Sequence, residues 1–201
     1  MDGLRYCEQG IAVVERPPTC RTIFVREIIN NGRETASYKE NHFRLAFPWQ
    51  VYTITSTKTH LLTIHLAFRN HSMTQKDQTL GFPSLWNVYS ADLRLCLGDS
   101  SVVRARETDE EFWARTISVL WGGTWTLAGS LDRDYQNKNG YVEDRRIGTA
   151  NGPNWQTWAK ATALNPDFIT AVKWPVWGDL DKLLSILRTL VKQHSRPHND
   201  D

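Results

Sequence analysis

In the first third of the chain, apolar residues recur at every second position or gather in short β-branched runs, a pattern of strands and not of helices. Ile11–Glu15 is one such run and ends at Pro17-Pro18. Thr22–Ile28 is another and ends at Asn30-Asn31-Gly32, a hairpin-type turn. The polar stretch from Arg33 to Asn41 is either the returning strand of that hairpin or a loop. After Phe47-Pro48-Trp49-Gln50, the segments Val51–Thr55 and Leu61–Phe68 both alternate apolar with polar, and Ser56–His60 joins them as a tight hairpin. The pattern predicts an antiparallel meander of about four strands over residues 11–68. One of its faces is expected to be solvated or covered by a helix, because alternation dominates over solid apolar runs. Residues 69–85 read as a polar loop carrying Gly81-Phe82-Pro83, and Leu93–Leu97 follows as a short apolar run.

The period then changes. Phe112, Trp113, Ile117, Leu120 and Trp121 fall at helical spacing, and Thr108-Asp109-Glu110-Glu111 matches a capping box, so a helix is predicted over Asp109–Leu120 with Gly122-Gly123 stopping it. Residues 124–178 are rich in Gly, Asn, Asp and Trp and have little periodicity. Turns are expected at Asn137–Gly140 and Asn151–Asn154, and a short helix at Gln156–Leu164 before Pro166. A last helix follows, with Leu180, Leu183, Leu184, Leu187, Leu190 and Val191 on one face and Asp179 as its N-cap. Ser195–Asp201 is expected to fray. The fold class is therefore α+β, an antiparallel meander with flanking helices. It divides into a core over residues 1–125 and a tryptophan-rich, irregular extension over 126–201 that ends in an amphipathic helix, the two packed as one compact domain.

Composition narrows the classes. At 201 residues the chain is long enough to bury a core without staples, and a net charge of +2 with no block of five or more like charges gives no electrostatic footprint for nucleic acid. No apolar run approaches the length of a membrane span and the N-terminus has no signal-type apolar region, so the expectation is a cytoplasmic protein that binds neither nucleic acid nor membrane. Three cysteines, Cys7, Cys20 and Cys96, with no C-x-x-C pair, encode neither a zinc knuckle nor a disulfide framework. Of the nine tryptophans, Trp121, Trp125, Trp155, Trp158, Trp174 and Trp177 lie in the C-terminal half. Two readings stand for them. They fill the core where loops cross it, or Trp121, Trp125, Trp155 and Trp158 form a partner-binding surface, since tryptophan is enriched at interface hot spots.

Most chemical motifs are missing. The six histidines lack the i, i+4 pairing with a carboxylate that a metallohydrolase helix would show, and no metal site or cofactor is expected. There is no Walker loop, no G-x-G-x-x-G and no G-x-S-x-G elbow. The pairs Asp132/Asp134 and Asp179/Asp181 read as solvated or capping residues. That leaves Cys96, in Asn87-Val-Tyr-Ser-Ala-Asp-Leu-Arg-Leu-Cys96-Leu-Gly98. A catalytic thiol needs access, an activating neighbour and donors for a developing oxyanion. Asn87 is a candidate donor, and Arg94 would share a strand face with Cys96 and favour its thiolate, with Asp92 and Tyr89 nearby. The opposing reading makes Cys96 a small apolar residue on the core side of a strand.

The order of elements, together with Asn87-Val-Tyr89, Arg94-Leu-Cys-Leu-Gly98 and the later Phe112-Trp113, resembles the ubiquitin-conjugating (E2-like) fold. The closer likeness is to the prokaryotic E2-like group that includes the PRTRC system protein B. The resemblance covers roughly residues 45–125. It implies that Cys96 forms a thioester with a ubiquitin-like protein delivered by an activating enzyme, and that Asn87 stabilises the oxyanion when an amine attacks. The chain departs from the pattern in three ways. Leu85-Trp86 stands where the family has His-Pro, the Asn-to-Cys spacing is one residue longer, and no N-terminal helix is predicted. The alternatives are a non-catalytic E2-like module that binds a protein partner and a structural, self-assembling component of a larger assembly such as a phage particle.

Overall fold

The computed structural model describes residues 3–8, 10–30, 37–75, 78–83, 85, 88–89, 91–96, 102–127, 142, 144–149 and 152–194. The expected turn at Asn137–Gly140 and the tail Ser195–Asp201 lie outside them.

The architecture grows from one long antiparallel ribbon broken at a single level by proline. Strand β2 (Ile11–Arg16) pairs with β5 (Trp49–Ser56), and β3 (Thr19–Asn30) pairs with β4 (Ser37–Phe47). The last pair below the break is Arg16↔Gln50 and the first above it is Thr19↔Phe47. Between them stand Pro17 and Pro18 on one strand and Pro48 on the other. Proline has no N–H to donate, so the ladder cannot run through this level. The ribbon bends there and its two halves enter different sheets, as strands do at the corners of packed β-structure.

The lower half lies in a six-stranded sheet of order β1-β2-β5-β6-β7-β11, where β1 is Gly3–Glu8, β6 Leu61–Arg69, β7 Thr79–Gly81 and β11 Val176–Asp179. The upper half forms a three-stranded sheet, β4-β3-β8, in which β8 (Thr124–Leu127) runs parallel to β3. A small ladder joins β9 (Gly148–Thr149) to β10 (Gly152–Pro153). The fold class α+β therefore holds, but the expected four-stranded meander is corrected to a larger sheet. Strands β1, β7 and β11 join from outside residues 11–68, and β3 and β4 leave for the second sheet. The stretch after Arg33 is, in its second part, the returning strand β4.

Among the described residues three α-helices pack with the sheets: α1 (Asp109–Gly122), α2 (Trp155–Leu164) and α3 (Leu180–His194). Thr108 and Glu111 cap α1 reciprocally, as the sequence predicts. Asn154 accepts the Thr157 N–H at the start of α2, and Asp179 accepts the Lys182 N–H at the start of α3. Strand β5 is buried from Gln50 to Ser56, so its alternating polar residues do not mark a wet face. Trp121 of α1 donates its indole N–H to the Tyr52 hydroxyl (2.6 Å), and α3 also packs on β5.

The tryptophans close the core around Phe47, the residue just before the Pro48 break. Its ring lies 4.7 Å from Trp121, 5.5 Å from Trp158 and 6.1 Å from Phe68. Trp158 stacks on Trp155 at 6.0 Å, Phe68 meets Trp174 at 4.8 Å, and Trp121 meets Trp125 at 5.4 Å. Trp158 donates to the Ala46 carbonyl at 3.0 Å. Close packing also explains Gly81, where a Cβ would lie 2.7 Å from the Trp174 Cβ and 2.8 Å from the Phe68 carbonyl oxygen.

Phe47→Ala should lower unfolding free energy by about 3–5 kcal/mol, the range for deleting a buried aromatic side chain. Leu164→Ala, at a position 88% exposed, should change it by less than about 0.5 kcal/mol. Urea unfolding of the two variants checks this. A loss below about 1 kcal/mol for Phe47→Ala would remove Phe47 from the centre of the core.

Candidate functional site

Beyond β7 the chain folds back on itself in a tight hairpin. Val88 pairs with Leu95, the Tyr89 N–H donates to the Arg94 carbonyl (2.8 Å), and the Leu93 N–H donates to the Tyr89 carbonyl (2.9 Å). Asp92 organises the turn locally by accepting the Arg94 N–H on Oδ1 at 3.1 Å, as aspartate does in turns. Leu93 adopts φ 63°, the left-handed region, and its side chain is wholly buried. That conformation costs a non-glycine residue roughly 1–2 kcal/mol, whereas burying a leucine contributes about 1.5–3 kcal/mol, so burial wins.

The second arm of the hairpin docks on the edge of β6. The Leu66 N–H donates to the Leu93 carbonyl at 3.0 Å and the Leu95 N–H to the Ile64 carbonyl at 2.9 Å. Further along, the Leu61 N–H reaches the Val102 carbonyl at 3.1 Å, so the chain returns to the same edge. Two side chains clamp the turn from below. Trp177 donates its indole N–H to the Ala91 carbonyl at 3.3 Å. His65, itself buried, places Nδ1 2.8 Å from the Asp92 carbonyl and Nε2 3.0 Å from the Thr63 hydroxyl. A carbonyl only accepts, so the neutral ring carries its hydrogen on Nδ1 and accepts the Thr63 hydroxyl hydrogen on Nε2. Burial holds the His65 pKa below its ordinary value of 6.5. The Asp92 carbonyl and carboxylate oppose that shift, and Arg94 adds to it.

On this arm exposure alternates: Leu93 and Leu95 face the core, while Arg94 and Cys96 face solvent. Cys96 is thus an exposed thiol at the end of a docked strand and not a core residue. Arg94 shares its side, but the guanidinium is engaged elsewhere. It lies 4.9 Å over the Tyr89 ring, and its Nε is 3.7 Å from the Asp92 carboxylate. The hairpin therefore brings Arg94, Asp92 and Tyr89 into contact and places Cys96 on the same side of the arm as Arg94. Asn87 lies outside the described residues. Cys7 is exposed and Cys20 partly buried.

Trp121, Trp125, Trp155 and Trp158 are corrected as a surface. All four are buried, so these rings fill the core and leave no indole face for a partner. Reading the sequence alone also missed two residues that position the site. His65 looked like one polar position in an alternating strand, and Trp177 like one tryptophan among many. The only signal for His65 was a histidine amid the apolar residues of β6.

Comparison with protein-family models, with curated proteins and with solved structures finds no match to this chain. Among the described residues no helix is long and apolar enough to cross a membrane, and no three metal-ligating side chains group together.

The His65 environment predicts a pH dependence. Above about 6.5 the ring is neutral in both the folded and the unfolded chain. As pH falls below that value the unfolded chain takes up a proton that the folded protein resists, so stability is lost. Denaturant unfolding between pH 7.5 and 5.5 should show wild type losing stability more steeply than His65→Asn, by up to about 1.4 kcal/mol per pH unit. Parallel curves would show that the imidazole is not held neutral beneath the turn.

Proposed function

We propose that the protein is an E2-like acyl carrier that holds a ubiquitin-like modifier on Cys96 as a thioester and passes it to an amine. The observation that supports this most is the exposure of Cys96 at the end of a strand whose other residues are pinned to β6. A nucleophile that exchanges a bulky acyl group needs an accessible sulfur on a fixed support. In the first step the Cys96 thiolate attacks the acyl carbon of a donor thioester. The new C–S bond forms as the old one breaks, and the donor leaves as a thiolate. In the second step an amine attacks the same carbon, an amide forms, the Cys96 thiolate departs and the amine's extra proton passes to water. The resemblance adds Asn87 as the donor to the oxyanion of that second step, with Tyr89, Asp92 and Arg94 holding the turn. Modifier, activating enzyme and acceptor follow from the same reading.

The binding-module alternative loses the tryptophan surface on which it was built. It keeps one point in its favour: among the described residues no side chain hydrogen-bonds the Cys96 sulfur to activate it.

A glycyl peptide α-thioester tests the proposal. Intact-protein and peptide mass spectrometry should find acylation at Cys96 at least about tenfold faster than at Cys7, which is also exposed, removed by added lysine and absent from Cys96→Ala. Cys96→Ser should retain a slow, thiol-resistant ester. Equal acylation of Cys7, or none at Cys96 in the native protein, would refute the carrier reading.

A further inference from the structure

A second site lies away from the hairpin, in a cavity of about 620 Å³ to which no hairpin residue contributes. That volume falls in the range of small-molecule sites. Four elements build it: the turn between β1 and β2, the β5–β6 connection, the first turns of α1 and the last turn of α3. Its apolar wall is Ile11, Leu62, Trp113 and Val191, one residue each from β2, β6, α1 and α3. Ile11 and Val191 also border a smaller hollow of about 200 Å³, so the two spaces adjoin.

The walls are fixed in advance by backbone bonds. The Ser56 N–H donates to the Gly10 carbonyl at 2.8 Å, and the Arg104 N–H donates to the Thr59 carbonyl at 2.8 Å. Gly10 has φ 83°, and a Cβ there would lie 2.5 Å from the Ser56 carbonyl oxygen, so only glycine allows this approach. The Thr57 hydroxyl accepts the His60 N–H at 3.0 Å and so holds the connection that carries Lys58. A ligand would therefore meet a formed site, with little loss of freedom in ordering it.

Charge selects the ligand. Each carboxylate at the two hollows already has an arginine: Asp109 is bonded to Arg104, and Glu8 sits 3.0 Å from Arg188. Lys58 in the larger hollow and Lys192 in the smaller have no carboxylate partner among the described residues. His194 donates its Nδ1–H to the Leu190 carbonyl at 3.0 Å, which leaves Nε2 for the cavity. A surplus of ammonium groups beside an apolar wall suits neither a cation nor a plain hydrocarbon. We infer that this cavity binds a small organic anion: one carboxylate or phosphate head at Lys58 and an apolar body of several carbons against Ile11, Leu62, Trp113 and Val191. A lysine is a compact point charge that takes either head group. The inference is independent of the carrier reading and of Cys96.

Cys7 borders the cavity and is exposed, which supplies a reporter. The native protein is alkylated with iodoacetamide, and Cys7 and Cys96 are followed separately by peptide mass spectrometry. The additions are octanoate, octyl phosphate, octanol, octylamine or inorganic phosphate, each at 1 mM. Octanoate, octyl phosphate or both should slow Cys7 at least fivefold and leave Cys96 unchanged. Octanol, octylamine and inorganic phosphate should leave both cysteines unchanged, and Lys58→Ser should abolish the protection while circular dichroism stays native. Whichever of the two amphiphiles protects better names the head group. Protection by octanol equal to that by the anions, protection by inorganic phosphate alone, persistence in Lys58→Ser, or no protection at all would each overturn the inference.

Discussion

The break in the ladder at Pro17, Pro18 and Pro48 is the constraint on which the rest of the molecule depends. Without donors at that level the ribbon cannot stay in one sheet. The bend turns Phe47 inward, where it meets rings from β6, α1 and α2. The aromatic cluster then ties segments far apart in sequence, from Phe68 to Trp174, into a single buried unit. Its cost is visible: the indole N–H groups of Trp125, Trp155 and Trp174 are buried and find no acceptor among the described residues. An unmet donor costs about 1–3 kcal/mol. A tryptophan buries about 150–250 Å², which at about 25 cal/mol per Å² contributes roughly 4–6 kcal/mol. Burial of the ring outweighs the unmet donor, so rings that read as interface anchors end up inside.

The same core presents Cys96. Strand β6 is flanked along most of its length by β5 and over its last residues by β7, which leaves an open edge beside Ile64 and Leu66. The hairpin fills that edge with two backbone hydrogen bonds, and two buried apolar side chains, Leu93 and Leu95, fix which way it faces. Alternation along the arm then puts the thiol outside. His65 supports the turn as a neutral ring, because burial disfavours its charged form.

Local signals were legible. The capping box at Thr108, the leucine stripe of α3 and the paired alternation of β5 and β6 all appear where the pattern puts them, because each depends on neighbours within a few residues. The long-range arrangement was not. Pro17-Pro18 reads as a strand end and Pro48 only as a residue ahead of the next strand, and their meeting at one level of the ribbon reveals the change of sheet. Strand β1 was missed because none of its six residues is buried and so short a run gives no clear apolar alternation. The parallel pairing of β8 with β3 joins segments about a hundred residues apart, which no local pattern encodes. At the site, the shared face of Arg94 and Cys96 followed from strand periodicity. The engagement of that arginine by Tyr89 and Asp92, and the support from His65 and Trp177, depend on tertiary contacts.

The exposed thiol of Cys96 rides on an arm held to the sheet it joins by backbone hydrogen bonds. Native-state hydrogen exchange at the Leu66 and Leu95 amides tests it most directly, since these two donors are the bonds that hold the arm to β6. Both should exchange as slowly as the amides of the β5–β6 ladder and open only with the core. Exchange at the rate of a solvent-exposed loop, while the ladder stays protected, would show a loose hairpin and contradict the claim.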